Sequence, residues 1–127
     1  MLVRLAALFG FVSVALGAFG AHLLEDRFTA EGADWWHTAT LYSLPHAAAA
    51  LAAGLSGRGG NIARGGGLLL LGAAIFSATL YAMALGAPRI LGAATPLGGL
   101  GLLAGWLMLA LGASQKGNQE PAAPSDM

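Results

Sequence analysis

The sequence predicts an all-α membrane protein, a bundle of four transmembrane helices with both termini cytoplasmic. Three observations carry this. Hydrophobic residues make up 57% of the 127 and charged residues only 9%, against the roughly 25% that a water-facing surface requires. The mean hydropathy is +0.70. Four apolar stretches each approach the ~20 residues that cross a ~30 Å hydrocarbon core, and none alternates like a barrel strand, so each is a helix that satisfies its own backbone.

The first span is Leu5–Leu24, free of formal charge, and the second is Trp36–Leu55. The third, Leu68–Ala87, reads LLLLGAAIFSATLYAMALGA, and the fourth is Ile90–Ala113. Together they make one transmembrane domain over 1–113, followed by a polar tail over 114–127 that is expected to be disordered and cytoplasmic. Between the first two spans, Phe28, Trp35 and Trp36 stand among acidic residues, which suggests a segment lying in the interface with its tryptophans at headgroup level. Arg4, Arg58, Arg64 and Lys116 fall on one side of this arrangement, and only Arg27 and Arg89 on the other. Because Lys and Arg accumulate in cytoplasmic loops, the first side is assigned to the cytoplasm. A cleavable signal peptide ending at GAFGA is the rival reading of the start. It fits less well, because the apolar run continues through Leu23 and Leu24.

Composition narrows the function. There is no cysteine, which removes disulfides, thiolate catalysis and cysteine metal sites. Net charge is zero without a basic run, so nucleic acid is not an expected partner. No serine-histidine-aspartate order, H-E-x-x-H or phosphate loop is present, so no catalytic residue, metal or cofactor is assigned. A metal site would need His22, His37 and Glu31 or Asp34 to converge, and their spacing matches no standard ligand motif.

The informative residues are polar ones inside the spans. At 1.5 Å rise per residue, His46 lies ~15 Å in from Trp36 and Tyr42 ~9 Å, while Ser77 and Tyr81 reach the same depths on the antiparallel third span. Each pair is spaced i, i+4 and shares a helix face. His22 and Thr95 enter from the same end. An unpaired polar group in hydrocarbon is costly, so Tyr42 and His46 are expected to contact the Ser77/Tyr81 face. Pro45 removes an N–H and frees the Leu41 carbonyl one turn earlier. This set, His22, Tyr42, His46, Ser77, Tyr81 and Thr95, reads as a structural hydrogen-bond knot or, alternatively, as a site that handles a proton or ligand. Small residues, Gly17 and Gly20 on the first span and Gly98, Gly101 and Gly105 on the fourth, form stripes that let helices approach closely.

Four segments, LGAFGAHLLEDR, TATLYSLPHAAAALAAG, AAIFSATLYAMALGA and TPLGGLGLLAGWLMLALG, resemble the small membrane family called domain of unknown function 423. The family includes YgdD-like inner-membrane proteins and is related to eukaryotic transmembrane protein 256. The resemblance covers nearly the whole chain. It rests on G-A-x-G-A-H at Gly17–His22, Y-x3-H at Tyr42–His46, F-S-x3-Y at Phe76–Tyr81 and T-P-x-G-G at Thr95–Gly99, with Gly105-Trp106 following. Pro45 stands where an ordinary helix former is expected. The resemblance implies a multi-pass protein of the inner membrane and supplies no activity. The expected role is therefore non-catalytic, with the lipid bilayer as surroundings and another membrane protein or a second copy of the chain as partner. The alternative is a small carrier or proton-relay element built on His46 and the tyrosines.

Overall fold

The computed structural model describes residues 1–114 and contains four helices: α1 (Leu2–His22), α2 (Ala30–Leu55), α3 (Gly60–Ala84) and α4 (Thr95–Ser114). Short 3-10 turns at Glu25–Arg27 and Arg89–Ala93 complete the chain, and there are no strands among the described residues. Three helical segments are long and apolar enough to cross a membrane: α1, α3, and α4 together with the turn that precedes it. The second helix does not meet that test. Its Tyr42, Pro45, His46 and three threonines and serines dilute an otherwise Ala- and Leu-rich stretch.

Helix boundaries differ from the apolar spans because hydropathy marks where lipid begins and not where a helix does. α2 starts six residues before Trp36, at Ala30, because Thr29 caps it: its hydroxyl accepts a hydrogen bond from the Gly32 N–H at 3.0 Å. α3 starts at Gly60 and carries Asn61 and Arg64 within its first turns. Its end falls at Ala84, three residues short of the expected limit. There Gly86 adopts φ +98°, which an L side chain rarely tolerates. Its N–H bonds the Met83 carbonyl while the Ala87 N–H reaches Ala82, a Schellman closure with Pro88 just beyond. Residues 90–93 are a 3-10 turn, so the fourth α-helix starts only at Thr95. The expected tail lies outside the described residues from residue 115 onward. Ser114 itself is still helical.

α3 is the hub. It packs α4 on one side and α2 on the other, while α1 lies mainly against α2. Ala6, Ala50, Leu69, Ala73 and Leu102 make a core to which every helix contributes. The start of α1, the end of α4 and the α2–α3 turn share one end: Val3 and Leu2 abut Gly54, and the Arg58 guanidinium donates to the Gly112 carbonyl at 2.7 Å. That bond places a cation on the last carbonyls of α4, where the helix dipole favours it. The opposite end holds Glu31, Trp35 and Arg89.

Candidate functional site

Glycine sets how close the helices come. A Cβ at Gly98 would lie 2.6 Å from the Phe76 backbone nitrogen, and one at Gly105 would lie 2.9 Å from that of Leu69. At Gly101 the Gly72 Cα would be 3.1 Å away. The α3–α4 seam is thus backbone against backbone, with glycines on both sides, and α3 supplies Gly65 and Gly72, which the stripe reading omitted. Gly17 and Gly20 act on α1 instead. A Cβ on Gly17 would press on Thr40 at 2.9 Å, and one on Gly20 would sit 2.1 Å from the Trp36 indole nitrogen.

That indole defines a closed aromatic knot. The Trp36 N–H donates to the Leu16 carbonyl at 2.8 Å, binding α2 to α1. Tyr81 meets its ring edge-on at 4.5 Å between centroids, and Phe28 lies 5.1 Å away. The Tyr81 hydroxyl is 2.8 Å from the Thr40 hydroxyl. Trp36 is 5% exposed, so it belongs to the packed interior and not to the headgroup belt expected of it. Trp35 is the half-buried one, with the Arg89 guanidinium 5.4 Å above its ring.

A second aromatic group lies between α2 and α4, two helices that are not packed along one another. His46 spans the gap. Its Nε2 accepts the Trp106 indole N–H at 3.1 Å, and its Nδ1 lies 2.6 Å from the Tyr42 carbonyl. An indole N–H only donates and a carbonyl only accepts, so the imidazole hydrogen sits on Nδ1 and the ring is neutral in this arrangement. Tyr42 packs on Phe76 of α3 at 4.5 Å. With Leu103 and Pro96 these residues line an open groove of about 610 Å³ on the flank of the bundle.

The polar set expected to converge is distributed among separate pairs. His46 bonds Trp106 and not the Ser77/Tyr81 face, Tyr81 bonds Thr40, and the Thr95 hydroxyl is 2.8 Å from that of Thr79. Ser77 donates to its own helix at the Ala73 carbonyl, 2.7 Å away, and is buried. His22 is exposed at the end of α1 and engages in no side-chain hydrogen bond among the described residues. The reason is that short hydroxyls satisfy themselves. Ser13, Ser43 and Thr79 likewise donate to carbonyls three or four residues back, a bond always within reach in a helix. Matching depth on neighbouring helices therefore does not require matching partners. The Leu41 carbonyl freed by Pro45 receives no side-chain donor among the described residues; the His46 ring goes to the next carbonyl instead.

Trp106, Thr40 and Thr79 were not among the residues singled out by depth. For Trp106 the signal was present: it lies eleven residues after Thr95, ~17 Å into α4, far from the interfacial belt where tryptophan is usual. Chemically, the side-chain pairs among the described residues form no continuous chain of hydrogen bonds from one end of the bundle to the other. Among the described residues no three of His, Asp and Glu gather in the manner of a metal site.

These features define a small helical membrane protein with a closely packed interior and an aromatic groove open on its flank. Residues 16–99 match the family model described as protein of unknown function (DUF423), and the chain belongs to that family. It is 43% identical to a UPF0382 membrane protein of Staphylococcus saprophyticus, over 87% of this chain and 93% of the relative. It is 38% identical to UPF0382 membrane protein YwdK of Bacillus subtilis, over 87% and 94%. A UPF0382 membrane protein of Schizosaccharomyces pombe is 40% identical over 81% and 92%. No solved structure matches the chain.

Proposed function

We propose that this chain is a four-span protein of the inner (cytoplasmic) membrane that acts without catalysis, as an accessory that docks another membrane protein in the α2/α4 groove. Support for the fourth span is the length of α2, 26 residues, or ~39 Å, and its position between α1 and α3. Arg4, Arg58 and Arg64 at the end where α1 starts and α4 finishes, against Arg27 and Arg89 at the other, support placing the first end in the cytoplasm.

One observation carries the docking reading. The Tyr42 hydroxyl has no hydrogen-bond partner among the described residues, and its side chain is 39% exposed beside Trp106 at 48%. A hydroxyl left alone in hydrocarbon costs roughly 4–8 kcal/mol on a cyclohexane scale. Lipid tails cannot offset that, whereas the backbone or side chain of a partner helix can, and tryptophan and tyrosine are the residues on which protein contacts concentrate.

Affinity purification of the tagged protein from native membranes in mild detergent, followed by mass spectrometry, tests this. A stoichiometric membrane protein should accompany the wild type and Tyr81→Phe and be lost with Trp106→Ala. Equal recovery with all three contradicts the groove assignment, and recovery of the tagged and untagged chain alone replaces the partner with a second copy. Alkaline phosphatase fused after Lys116 should be inactive; activity there would reverse the orientation.

A further inference from the structure

At the end opposite the α2–α3 turn, a groove of about 590 Å³ opens between the α1–α2 connection, the start of α2 and the end of α3. Its lining combines both signs of charge with apolar surface. Arg27 and Arg89 are cationic, Glu31 is anionic, and Phe28, Met83 and Leu85 are apolar. Arg89 pairs with Glu31 in the one ion pair among the described residues, and both side chains are more than half exposed. Arg27 lines the same groove without an ionic partner there. From this geometry we infer that the groove holds the head of a phosphoethanolamine lipid: Arg27 and Arg89 take the phosphate, Glu31 takes the ammonium, and Phe28 and Leu85 border the first carbons of the acyl chains.

Charge complementarity chooses this occupant. A headgroup with only negative charge would meet the Glu31 carboxylate in the groove, with Glu25, Asp26 and Asp34 close by in sequence, and like charges in close juxtaposition repel. Guanidinium groups suit a phosphate because they donate along two parallel bonds. A primary ammonium donates hydrogens to a carboxylate, which a trimethylammonium cannot do. Choline would instead call for an open aromatic face, and the Trp35 ring is already covered by Arg89. The inference rests on the four-span reading only in placing this end at headgroup level.

Native mass spectrometry of the full chain in detergent, with phosphatidylethanolamine, phosphatidylcholine or phosphatidylglycerol added in turn, measures the binding without a bilayer. A failure there therefore leaves the topology untouched. Phosphatidylethanolamine adducts should survive preferentially. Arg27→Gln, at an exposed position with no ionic partner, should weaken them about tenfold, as loss of one hydrogen bond to a charged group does. Glu31→Gln should abolish the preference for ethanolamine over glycerol, and Arg64→Gln at the other end should change nothing. Equal retention of the three lipids, or an Arg27→Gln variant of unaltered binding and helicity, overturns the inference. Competition by soluble glycerophosphoethanolamine at the same concentration as the lipid overturns the assignment to a lipid.

Discussion

The closed knot and the open groove are built from the same side chains with opposite outcomes. Each holds a tryptophan whose N–H crosses to another helix, a tyrosine packed on another aromatic ring, and a residue of α2 that completes the contact. In the knot the tryptophan and tyrosine are 5% and 8% exposed, and the phenol is paired; in the groove they are 48% and 39% exposed, and the phenol is not. What separates them is the neighbouring backbone. Gly20 leaves room for the Trp36 indole to lie directly on α1, while α4 turns Gly98, Gly101, Gly105 and Gly112 to α3 and leaves the gap toward α2 to be bridged by side chains. The presence of polar aromatics inside a membrane helix thus does not distinguish a structural contact from an available surface; how closely the helices approach does.

This contrast is open to attack from the knot first. Trp36→Ala removes a buried indole and its bond to Leu16, and should destabilise the protein by about 3–5 kcal/mol in reversible unfolding from mixed micelles. Gly20→Ala leaves Trp36 in place but puts a methyl where its ring lies, and should cost about 1–3 kcal/mol by the same measurement. If it is neutral, the indole is not seated against α1. Smaller effects belong to single hydrogen bonds, which average ~0.6 kcal/mol in membranes and reach ~1.7. Tyr81→Phe and His46→Ala should each fall in that range. Because Tyr81 and His46 share no partner, their effects should add in the double mutant within ~0.5 kcal/mol, and a larger departure would join the two regions into one network.

Much of the architecture was legible in the residues. The apolar stretches locate the helices because lipid forces each span to be helical, and the glycine stripes of α1 and α4 fall at close approaches. Helix ends were not read from the sequence even where capping chemistry marks them, as at Thr29 and at Gly86-Ala87-Pro88, because hydropathy follows the apolar stretch and not the cap. The partners of the polar residues were not legible. Depth along a span gives height but leaves the direction around the helix axis loose, and one residue's step from Ser77 to Phe76 turns the contact for Tyr42 from a hydroxyl into a ring. The bond between His46 and Trp106 joins helices that are not sequential neighbours, and no local pattern encodes that adjacency.

If the α2/α4 groove docks a partner while the outer face of α1 meets lipid, photo-crosslinking in intact membranes distinguishes the two surfaces. A benzophenone amino acid would replace Leu103 on the groove rim or Leu8 on the outer face of α1, both exposed leucines. Position 103 should give a discrete protein adduct that disappears when Trp106 is changed to Ala, and position 8 should give none. Identical adduct patterns from the two positions, or an adduct at 103 indifferent to Trp106, would contradict it.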